Sequence, residues 1–217
     1  MRIVIAGGHG KIALLLAGLL TRRGDEVASL IRNPAHAEEV AATGAEPVVL
    51  DLENSTADAV AAVLAGADAA VFAAGAGPGS TAERKYTVDR DGSILLATAA
   101  EQTKATRFVQ ISTMGAGKPP TPDRDAVWAA YIDAKTQAED DLRARGLDWT
   151  VLRPGRLTDE PATGEVSLVE PPSDYGAVPR ADVAAVIAEL LAAPNTAGKT
   201  LELVSGGTAI AAAVAAI

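Results

Sequence analysis

Short apolar runs alternate along the chain with longer stretches in which Ala and Leu recur at helical spacing, and glycines stand at many of the junctions. Short β-branched runs are typical of buried strands, whereas the longer periodic stretches are typical of helices. The predicted strands cover residues 2–6, 26–31, 46–50, 68–73, 107–111, 149–152, 166–169 and 200–204. The predicted helices cover residues 11–23, 34–44, 56–65, a long stretch from the loop at 75–80 to about 103, 126–145 and 182–193.

This alternation of strands and helices predicts the fold class. Parallel strands joined by right-handed helical crossovers form a sheet that is covered by helices on both faces. We therefore expect an α/β protein, a Rossmann-type three-layer sandwich with a doubly wound, mostly parallel sheet of about seven strands. The chain has no internal repeat and no long linker, so residues 1–217 are expected to form a single domain.

Composition narrows the classes of partner. Hydrophobic residues make up 48% of the 217 residues but aromatic ones only 3%, so Ala, Val, Leu and Ile must form the core. The chain has no Cys, which excludes disulfides and a thiol nucleophile, and the spacing of His9 and His36 does not predict a metal site. A net charge of −9 argues against nucleic acid or an anionic membrane as the partner. No apolar run reaches the roughly 20 residues that span a bilayer, and no leader precedes the first strand, so we expect a cytoplasmic protein.

A glycine-rich loop lies between the first predicted strand and the first predicted helix. Its residues 7–13 read Gly-Gly-His-Gly-Lys-Ile-Ala. Gly7 permits a tight turn, Gly10 lets the backbone approach a pyrophosphate, and the small Ala13 lets the helix pack close to the strand. The helix N-terminus offers N–H groups and a partial positive charge to phosphates. We therefore predict a bound dinucleotide that contacts Gly7, Gly8, His9, Gly10, Lys11 and Ile12.

The residues after the second strand indicate which dinucleotide binds. An acidic residue there would bind the ribose 2′-hydroxyl of NAD, but this chain has Arg32 and Asn33. Arg32 can form a bidentate contact with a 2′-phosphate, which predicts that NADP(H) is preferred over NAD(H). The alternative is that Arg32 is a solvated residue before a helix. Asp51 and Leu52, after the third strand, are expected near the adenine, although Asp51 is also placed to cap a nearby helix.

Three small residues, Ala73, Ala74 and Gly75, end the fourth predicted strand. Ligands of open α/β folds lie at the carboxyl edge of the sheet, where small side chains leave room for the cofactor ribose. We therefore count these three residues among those that contact the cofactor. The alternative is that they form a plain turn.

A candidate catalytic set follows the fifth predicted strand. Ser112 ends that strand, and Tyr131 and Lys135 are four residues apart on a predicted helix, so they share one helix face. An ammonium near a phenol lowers the pKa of the phenol, and such a tyrosine exchanges a proton with a carbonyl oxygen as hydride arrives or leaves. Ser112 is expected to hold the substrate oxygen, and Lys135 to bind ribose hydroxyls as well. The alternative is that Tyr131 packs on the loop and Lys135 contacts only ribose.

Four segments resemble the short-chain dehydrogenase/reductase superfamily, in particular its atypical members. They are the glycine loop from Gly7 to Ala13, the segment from Tyr131 to Glu139, the tripeptide Arg153-Pro154-Gly155 and the segment from Val178 to Ala184. Within the superfamily the chain is most similar to small NAD(P)-binding proteins related to flavin and biliverdin-IXβ reductases, to NmrA-like proteins and to YhfK-like proteins. Two departures are an alanine in place of the last glycine of the loop and the position of Ser112, nineteen residues before Tyr131.

The resemblance implies NADPH in the cleft and Ser112, Tyr131 and Lys135 as the catalytic positions. It also places Pro154, Gly155 and Arg156 beside the cofactor. Substrate is expected between the loops at 75–81, 114–124 and 155–164, with the loop at 114–124 as a lid. Roughly residues 155–180 would form a small substrate-side region. Trp128, Arg156 and Leu157 are candidate substrate contacts.

Two functions from different classes remain open at this point. The first is an NADPH-dependent oxidoreductase that reduces a small carbonyl, quinone or flavin-like acceptor by hydride transfer. The second is a non-catalytic NADP(H) sensor of the NmrA-like type. A nucleotide-sugar epimerase fits less well, because only about sixty residues follow Pro154. We expect a monomer or a homodimer, in which residues 209–217 form a closing helix or a dimer contact.

Overall fold

The architecture was obtained as a computed structural model, which describes residues 1–119 and 125–217. Its strands are β1 (Arg2–Ala6), β2 (Glu26–Ile31), β3 (Glu46–Val49), β4 (Ala69–Phe72), β5 (Arg107–Ile111), β6 (Asp148–Pro154), β7 (Arg156–Thr158), β8 (Glu165–Val169), β9 (Ala177–Pro179), β10 (Lys199–Ser205) and β11 (Thr208–Ala209). Its α-helices are α1 (Lys11–Arg23), α2 (Ala37–Ala41), α3 (Ala57–Leu64), α4 (Ala82–Arg84), α5 (Gly92–Thr103), α6 (Ala126–Arg143), α7 (Arg180–Leu190) and α8 (Ile210–Ala215). A π-helical segment, Lys85–Asp91, joins α4 to α5.

Nine strands form one sheet in the order β11-β8-β10-β6-β5-β4-β1-β2-β3, and β7 pairs with β9 in a small second sheet. The seven strands from β10 to β3 run parallel, while β8 is antiparallel to β10 and β11 antiparallel to β8. The chain leaves β1 in one direction for β2 and β3, then returns to the other side of β1 with β4. This reversal is the switch point at which open α/β sheets bind ligands, beyond the carboxyl ends of the strands.

Two apolar cores cover the two faces of the sheet. Successive side chains of a strand point to opposite faces, so Ile3 and Ile5 lie in one core while Val4 and Ala6 lie in the other. The first core includes residues of α1, α7 and α8, and the second includes residues of α3 and α5. The helices therefore pack on both faces, and the three-layer sandwich predicted from the sequence is confirmed.

Local sequence signals end and begin the helices. Gly24 ends α1 in the left-handed region, with φ of 92°, and its N–H donates to the carbonyls of Leu20 and Thr21. The side chain of Thr56 caps α3, and that of Asp125 caps α6 through the N–H of Trp128 at 2.7 Å. The caps of Thr56 and Asp125 lie at the carboxyl edge of the sheet, where α3 and α6 begin, and Gly24 lies at the amino edge, where α1 ends.

The sheet differs from the prediction in size. Seven parallel strands match the expected number, but β8 and β11 extend the sheet to nine. The predicted helix at 34–44 is a 3₁₀ turn, Pro34–His36, followed by the short α2. Residues 210–215 form α8, whose buried Ile210, Ala213 and Val214 pack on the core as expected of a closing helix. Part of the expected lid, from Pro120 to Arg124, lies outside the described residues. Among the helices of residues 1–119 and 125–217, none is long and apolar enough to cross a membrane.

Candidate active site

Two neighbouring cavities open at the carboxyl edge of the sheet. The first has a volume of about 380 Å³ and is lined by the glycine loop and the ends of β2, β3 and β4. The second has a volume of about 680 Å³ and is lined by the ends of β4 and β5, the π-helical segment and α6. Both are lined by Ala73, Ala74 and Gly75, so the two cavities meet at these small residues. Together they form an elongated cleft across the switch point.

The glycine loop is held against the end of β4. Gly7 has φ of 80°, and a Cβ atom on it would lie 2.5 Å from Cα of Ala74, so only glycine fits. Gly10 is exposed and precedes α1 with no side-chain cap, which leaves the first N–H groups of the helix for a ligand. Ala13 is fully buried, in agreement with the close packing expected there. The N–H of Gly8 donates to the carbonyl of Leu30 at 2.8 Å, so Gly8 joins the loop to β2.

Two histidines form part of the wall of the first cavity. The rings of His9 and His36 are stacked with their centroids 3.5 Å apart. Nε2 of His9 lies 2.6 Å from a carboxylate oxygen of Glu39, which holds the His9 ring in place. Asn33 lines the same cavity, and its side chain accepts a bond from the N–H of Ala35 at 3.0 Å. The sequence did not indicate this histidine stack, because its members are far apart along the chain.

Arginines and a single glutamate lie beside one another in the first cavity. Nη1 of Arg32 lies 3.1 Å from the carboxylate of Glu53, and Nη2 of Arg84 lies 2.5 Å from it. Hydrogen bonding from Arg84, with further contributions from Thr87 and Arg32, lowers the pKa of Glu53 to about 2 against the raising effect of burial. Arg32 remains half-exposed at the rim. Two guanidinium groups therefore surround one carboxylate where an anionic ligand group would enter.

Asp51 forms a turn rather than a helix cap. Its carboxylate accepts bonds from the N–H of Glu53 at 3.1 Å and from the side chain of Asn54 at 2.7 Å. The cap of α3 is Thr56 instead, so the alternative role considered for Asp51 is wrong. Asp51 and Leu52 both line the first cavity, as the adenine assignment requires.

Lys135 is buried at the floor of the second cavity. Its Nζ donates to the carbonyl of Ile111 at 3.0 Å and lies 3.3 Å from the carboxylate of Asp89. Asp89 also accepts a bond from the N–H of Ala76 at 3.0 Å, which ties the loop after β4 to the π-helical segment. The ammonium of Lys135 is thus anchored from two sides, close to the end of β5.

Tyr131 lies on the same face of α6, in the wall of the second cavity. Burial raises the pKa of its phenol above 10.0, and the charge of Asp89 adds to that effect. Lys135 and a hydrogen bond with Thr113 lower the pKa but do not outweigh burial. The expectation of a lowered pKa is therefore wrong, because it considered the ammonium and not the burial. Tyr131 holds its proton at neutral pH, as a proton donor must.

Ser112 lies beside this group but makes its hydrogen bond in another direction. Its hydroxyl donates to Oε1 of the fully buried Glu139 at 2.5 Å. Glu139 also accepts bonds from Nε of Arg153 at 2.9 Å and from Nη2 of Arg143 at 2.7 Å. The segment from Tyr131 to Glu139 and the tripeptide that begins at Arg153 therefore meet in a buried hydrogen-bond network, because Glu139 ends the first motif and Arg153 begins the second. Ser112 lines the second cavity, yet the hydroxyl that helps to lower the pKa of Tyr131 is that of Thr113.

Not all the predicted residues line the two cavities. Trp128 and Leu157 line the second cavity, as does Ile12. Pro154, Gly155 and Arg156 lie outside both linings.

The residues from Pro154 to Arg156, outside the two cavity linings, hold the strands at the carboxyl edge of the sheet together. The N–H of Gly155 donates to Leu203, and that of Arg156 donates to Gly176. Lys11 lies in an adjacent groove, where its Nζ is 2.6 Å from a carboxylate oxygen of Asp159.

Several residues of the site were not recognised from the sequence. They are Thr113, Asp89, Lys85, Glu53 and Arg84. Lys85 and Asp89 are four residues apart in the predicted long helix, which is a detectable signal. Glu53 follows β3 and Arg84 ends α4, and the two residues carry no shared signal in the sequence. Only the fold brings those two together.

Comparisons with known proteins identify the family of the chain. The sequence model of a family described as NAD(P)H-binding matches residues 7–194. A Bacillus subtilis (strain 168) protein named "Uncharacterized sugar epimerase YhfK" is 32% identical over 215 residues, which cover 99% of each chain.

Solved structures show the same fold along the whole chain. A putative NAD-dependent epimerase/dehydratase from Bacillus halodurans superimposes with a TM-score of 0.92 at 36% identity, covering 100% of both chains. ChuY, described as an anaerobillin reductase from Escherichia coli O157:H7, superimposes with a TM-score of 0.80 at 25% identity, covering 94% of this chain and 97% of that one. The resemblance to NAD(P)-binding Rossmann proteins found in the sequence is thereby confirmed.

Proposed function

Since the chain belongs to the NAD(P)H-binding family, we propose that it is an NADP(H)-dependent oxidoreductase of the atypical short-chain dehydrogenase/reductase type. It reduces a small carbonyl, quinone or flavin-like acceptor. The observation that carries this proposal is the meeting of the two cavities at Ala73, Ala74 and Gly75, with Tyr131 in the second cavity. A dinucleotide laid across this junction has one end at the glycine loop and the other beside a phenol.

The residues of the cleft fit such a cofactor. The uncapped start of α1 suits phosphates, and the small residues after β4 leave room for a ribose. When bound, the nicotinamide supplies a hydride to the acceptor. Tyr131 donates its proton to the acceptor oxygen, so that hydride and proton together complete a two-electron reduction. Lys135 stabilises the phenolate that remains, since its ammonium lies 6.0 Å from the centre of the ring.

Ser112 completes the proposed catalytic set in a supporting position. Its hydroxyl proton is engaged by Glu139, so we assign it to fixing the end of β5 and the neighbouring Thr113. Pro154, Gly155 and Arg156 act at the same edge by joining β6 to the region at 155–180, which we propose as the substrate side of a single domain. Leu157 and Trp128 would contact the acceptor in the second cavity.

The preference for NADP(H) follows from the placement of charges in the first cavity. No carboxylate ends β2, and the guanidinium of Arg32 is exposed at the rim, whereas the carboxylates of Glu53 and Asp51 already accept hydrogen bonds from Arg84 and Asn54. A 2′-phosphate carries up to two negative charges, and guanidinium groups bind phosphate in a bidentate manner. We propose that Arg32 is the principal contact of the 2′-phosphate, with Asn33 beside it.

The experiment that tests the cofactor is a parallel titration of the purified protein with NADPH and NADH, followed by nucleotide fluorescence. We expect NADPH to bind about tenfold or more tightly than NADH. Arg32→Ala should remove most of that preference, whereas Arg22→Ala, at the exposed end of α1, should keep it. Equal affinities in the unaltered protein would contradict the role of Arg32. Failure of both nucleotides to bind would contradict the proposed function itself.

A second candidate is the NADP(H) sensor of the NmrA-like type. The observation in its favour is the commitment of the Ser112 hydroxyl to Glu139, which leaves the set without a serine donor facing the acceptor. Oxidation of NADPH in the presence of quinones, flavins and aldehydes separates the two functions. Turnover of any of these acceptors supports the enzyme, and tight binding of NADPH with no turnover supports the sensor.

We also propose that the protein works in the cytoplasm as a monomer or a homodimer. The net charge of −9 supports a soluble protein without nucleic acid or membrane partners. Light scattering after size-exclusion chromatography, with and without NADPH, measures the number of subunits. A larger assembly would contradict this part of the proposal.

A further inference from the structure

Lys85 places a buried ammonium in the second cavity. The residue is only 8% exposed, and it lines the cavity together with Tyr131 and Trp128. Its Nζ donates to the carbonyl of Gly77 at 2.9 Å and lies 5.4 Å from the centre of the Tyr131 ring. Nothing in the proposed hydride transfer uses this charge.

Two carboxylates line the same cavity, those of Asp89 and Asp125, and neither forms an ion pair with Lys85. Asp125 caps α6 by accepting a bond from the N–H of Trp128. Asp89, one turn away in the π-helical segment, is 3.3 Å from Lys135 and is bonded to the N–H of Ala76. Arg180, the other cation of the cavity lining without a role so far, is paired with Asp159 at 2.6 Å. Among the ion pairs of residues 1–119 and 125–217, none includes Lys85. Burial of a charge without a counter-charge costs free energy, which an incoming anion would recover.

The rest of the lining suits an apolar molecule. Val127, Trp128 and Leu157 line the cavity, together with Ile12 and Ile111. The phosphates of a dinucleotide are not the anion in question, since Gly7, His9 and Gly10 belong to the first cavity and Lys85 does not. The cation thus lies on the acceptor side of the cleft.

We propose that the acceptor carries a carboxylate on an apolar body, and that Lys85 binds this carboxylate next to the phenol of Tyr131. This inference rests on the proposed function and specifies its substrate class. Lys85 acts as a specificity-determining residue: it holds the anion, while Tyr131 faces the group to be reduced. An acceptor of the same shape without the charge would bind more weakly.

The test uses two aldehydes that differ in one charge, 4-formylbenzoate and methyl 4-formylbenzoate. Each is titrated calorimetrically into the protein saturated with NADP⁺, a complex in which no hydride is available. We expect the carboxylate to bind about tenfold or more tightly than the ester. Lys85→Met should bring that ratio close to one, and Lys85→Arg should restore most of it. The control is Lys199→Met, which removes a half-exposed ammonium at the opposite edge of the sheet and should leave the ratio unchanged.

Three results would overturn the proposal. They are equal binding of the two aldehydes to the unaltered protein, a preference that persists in Lys85→Met, and the absence of binding by the carboxylate. Circular dichroism of Lys85→Met and rescue by Lys85→Arg separate a lost charge from a lost fold. Failure of NADP⁺ to bind would contradict the proposed function instead, and the same pair of aldehydes titrated into the free protein would still decide the anion site.

Discussion

Two opposing effects act on the pKa of the Tyr131 phenol. Lys135 alone would favour the phenolate, as the spacing of the two residues in the sequence indicates. Burial and Asp89 favour the neutral phenol, and the pKa is raised. The direction matters for chemistry, because a proton donor must still hold its proton at the working pH.

Replacing this phenol should separate chemistry from binding. We expect Tyr131→Phe to lower kcat for reduction of an aldehyde by about a hundredfold or more, since a general acid contributes at least that much. The affinity for NADPH should change little, because Tyr131 lines only the second cavity. Stopped-flow oxidation of NADPH gives kcat, and fluorescence titration gives the affinity. Tyr175→Phe, at a tyrosine that is 70% exposed, is the matched control.

The pH profile of the same reaction provides an independent check. A general acid loses activity as the pH rises through its pKa, and the pKa of Tyr131 is raised above 10.0. We therefore expect kcat to show no loss from Tyr131 between about pH 6 and about pH 9. Unchanged turnover in Tyr131→Phe would contradict the assigned role. A fall in kcat centred near neutral pH that Tyr131→Phe abolishes would contradict the raised pKa.

The sequence indicated which side chains lie at the site better than it indicated the groups with which they form hydrogen bonds. Tyr131 and Lys135 share one helix, so their proximity followed from helical spacing alone. Ser112 is close to both in the fold, but the direction of its hydroxyl depends on Glu139 and Arg153. Those contacts join β5, β6 and α6, and no local pattern in the sequence encodes them.

Between elements, Glu53 joins the loop after β3 to the helical stretch after β4. Its carboxylate accepts bonds from Arg84 and, at 2.7 Å, from Thr87, while Arg32 approaches from the end of β2. These contacts fix one wall of the first cavity. They also link stability to pH, because the pKa of Glu53 is lowered from 4.5 to about 2.

The sign of that dependence follows from the lowered pKa. A carboxylate whose pKa is lower in the folded than in the unfolded protein contributes stability above the unfolded value, and loses it as the pH falls through the folded value. We expect Glu53→Gln to cost about 1–2 kcal/mol at pH 7, a figure reduced for solvent around the partly exposed arginines. The difference should shrink steadily below pH 4.5 and vanish towards pH 2.

Urea unfolding of the two proteins at pH 7, 5 and 3 measures this difference in the free energy of unfolding. Glu46→Gln, at the exposed start of β3, is the control and should have little effect at any pH. A Glu53→Gln difference that is as large at pH 3 as at pH 7 would show that the ion pairs do not stabilise the fold.

Elements with a strong local pattern were predicted within a few residues, whereas those that depend on pairing were not. The bounds of β1, β2, β5 and α1 agree with the prediction because apolar runs and glycine stops define them. β11 has only two residues and is defined by its pairing with β8, so no hydrophobic periodicity in the sequence predicts it. The long helix after residue 80 was predicted, but not the π-helical turns that place Lys85 and Asp89 in the cavity.

The two edges of the sheet differ across the whole molecule. The carboxyl edge holds the cavities for ligands, whereas side chains at the amino edge form hydrogen bonds with backbone carbonyls. At the amino edge of the sheet, Arg2 donates to the carbonyls of Val63 and Ala65, and Arg107 donates to that of Leu190. At the carboxyl edge, the first N–H groups of α1 lack a side-chain cap, and small residues line both cavities. The fold class and this edge followed from the order of strands and helices in the sequence. The extent of each cavity did not, because it depends on loops whose course tertiary contacts decide.

This asymmetry makes hydrogen exchange a test of the binding mode as a whole. We expect NADPH to slow exchange at the start of α1, at residues 31–33 and at residues 73–77, because the ligand occupies the cavities that these segments line. At short exchange times the amino ends of β5 and β6 should be unaffected. Mass spectrometry of peptides from the protein with and without NADPH measures both regions in one experiment. Protection at the amino edge alone, or none at the start of α1, would place the cofactor elsewhere, since a ligand protects first the amides that it covers.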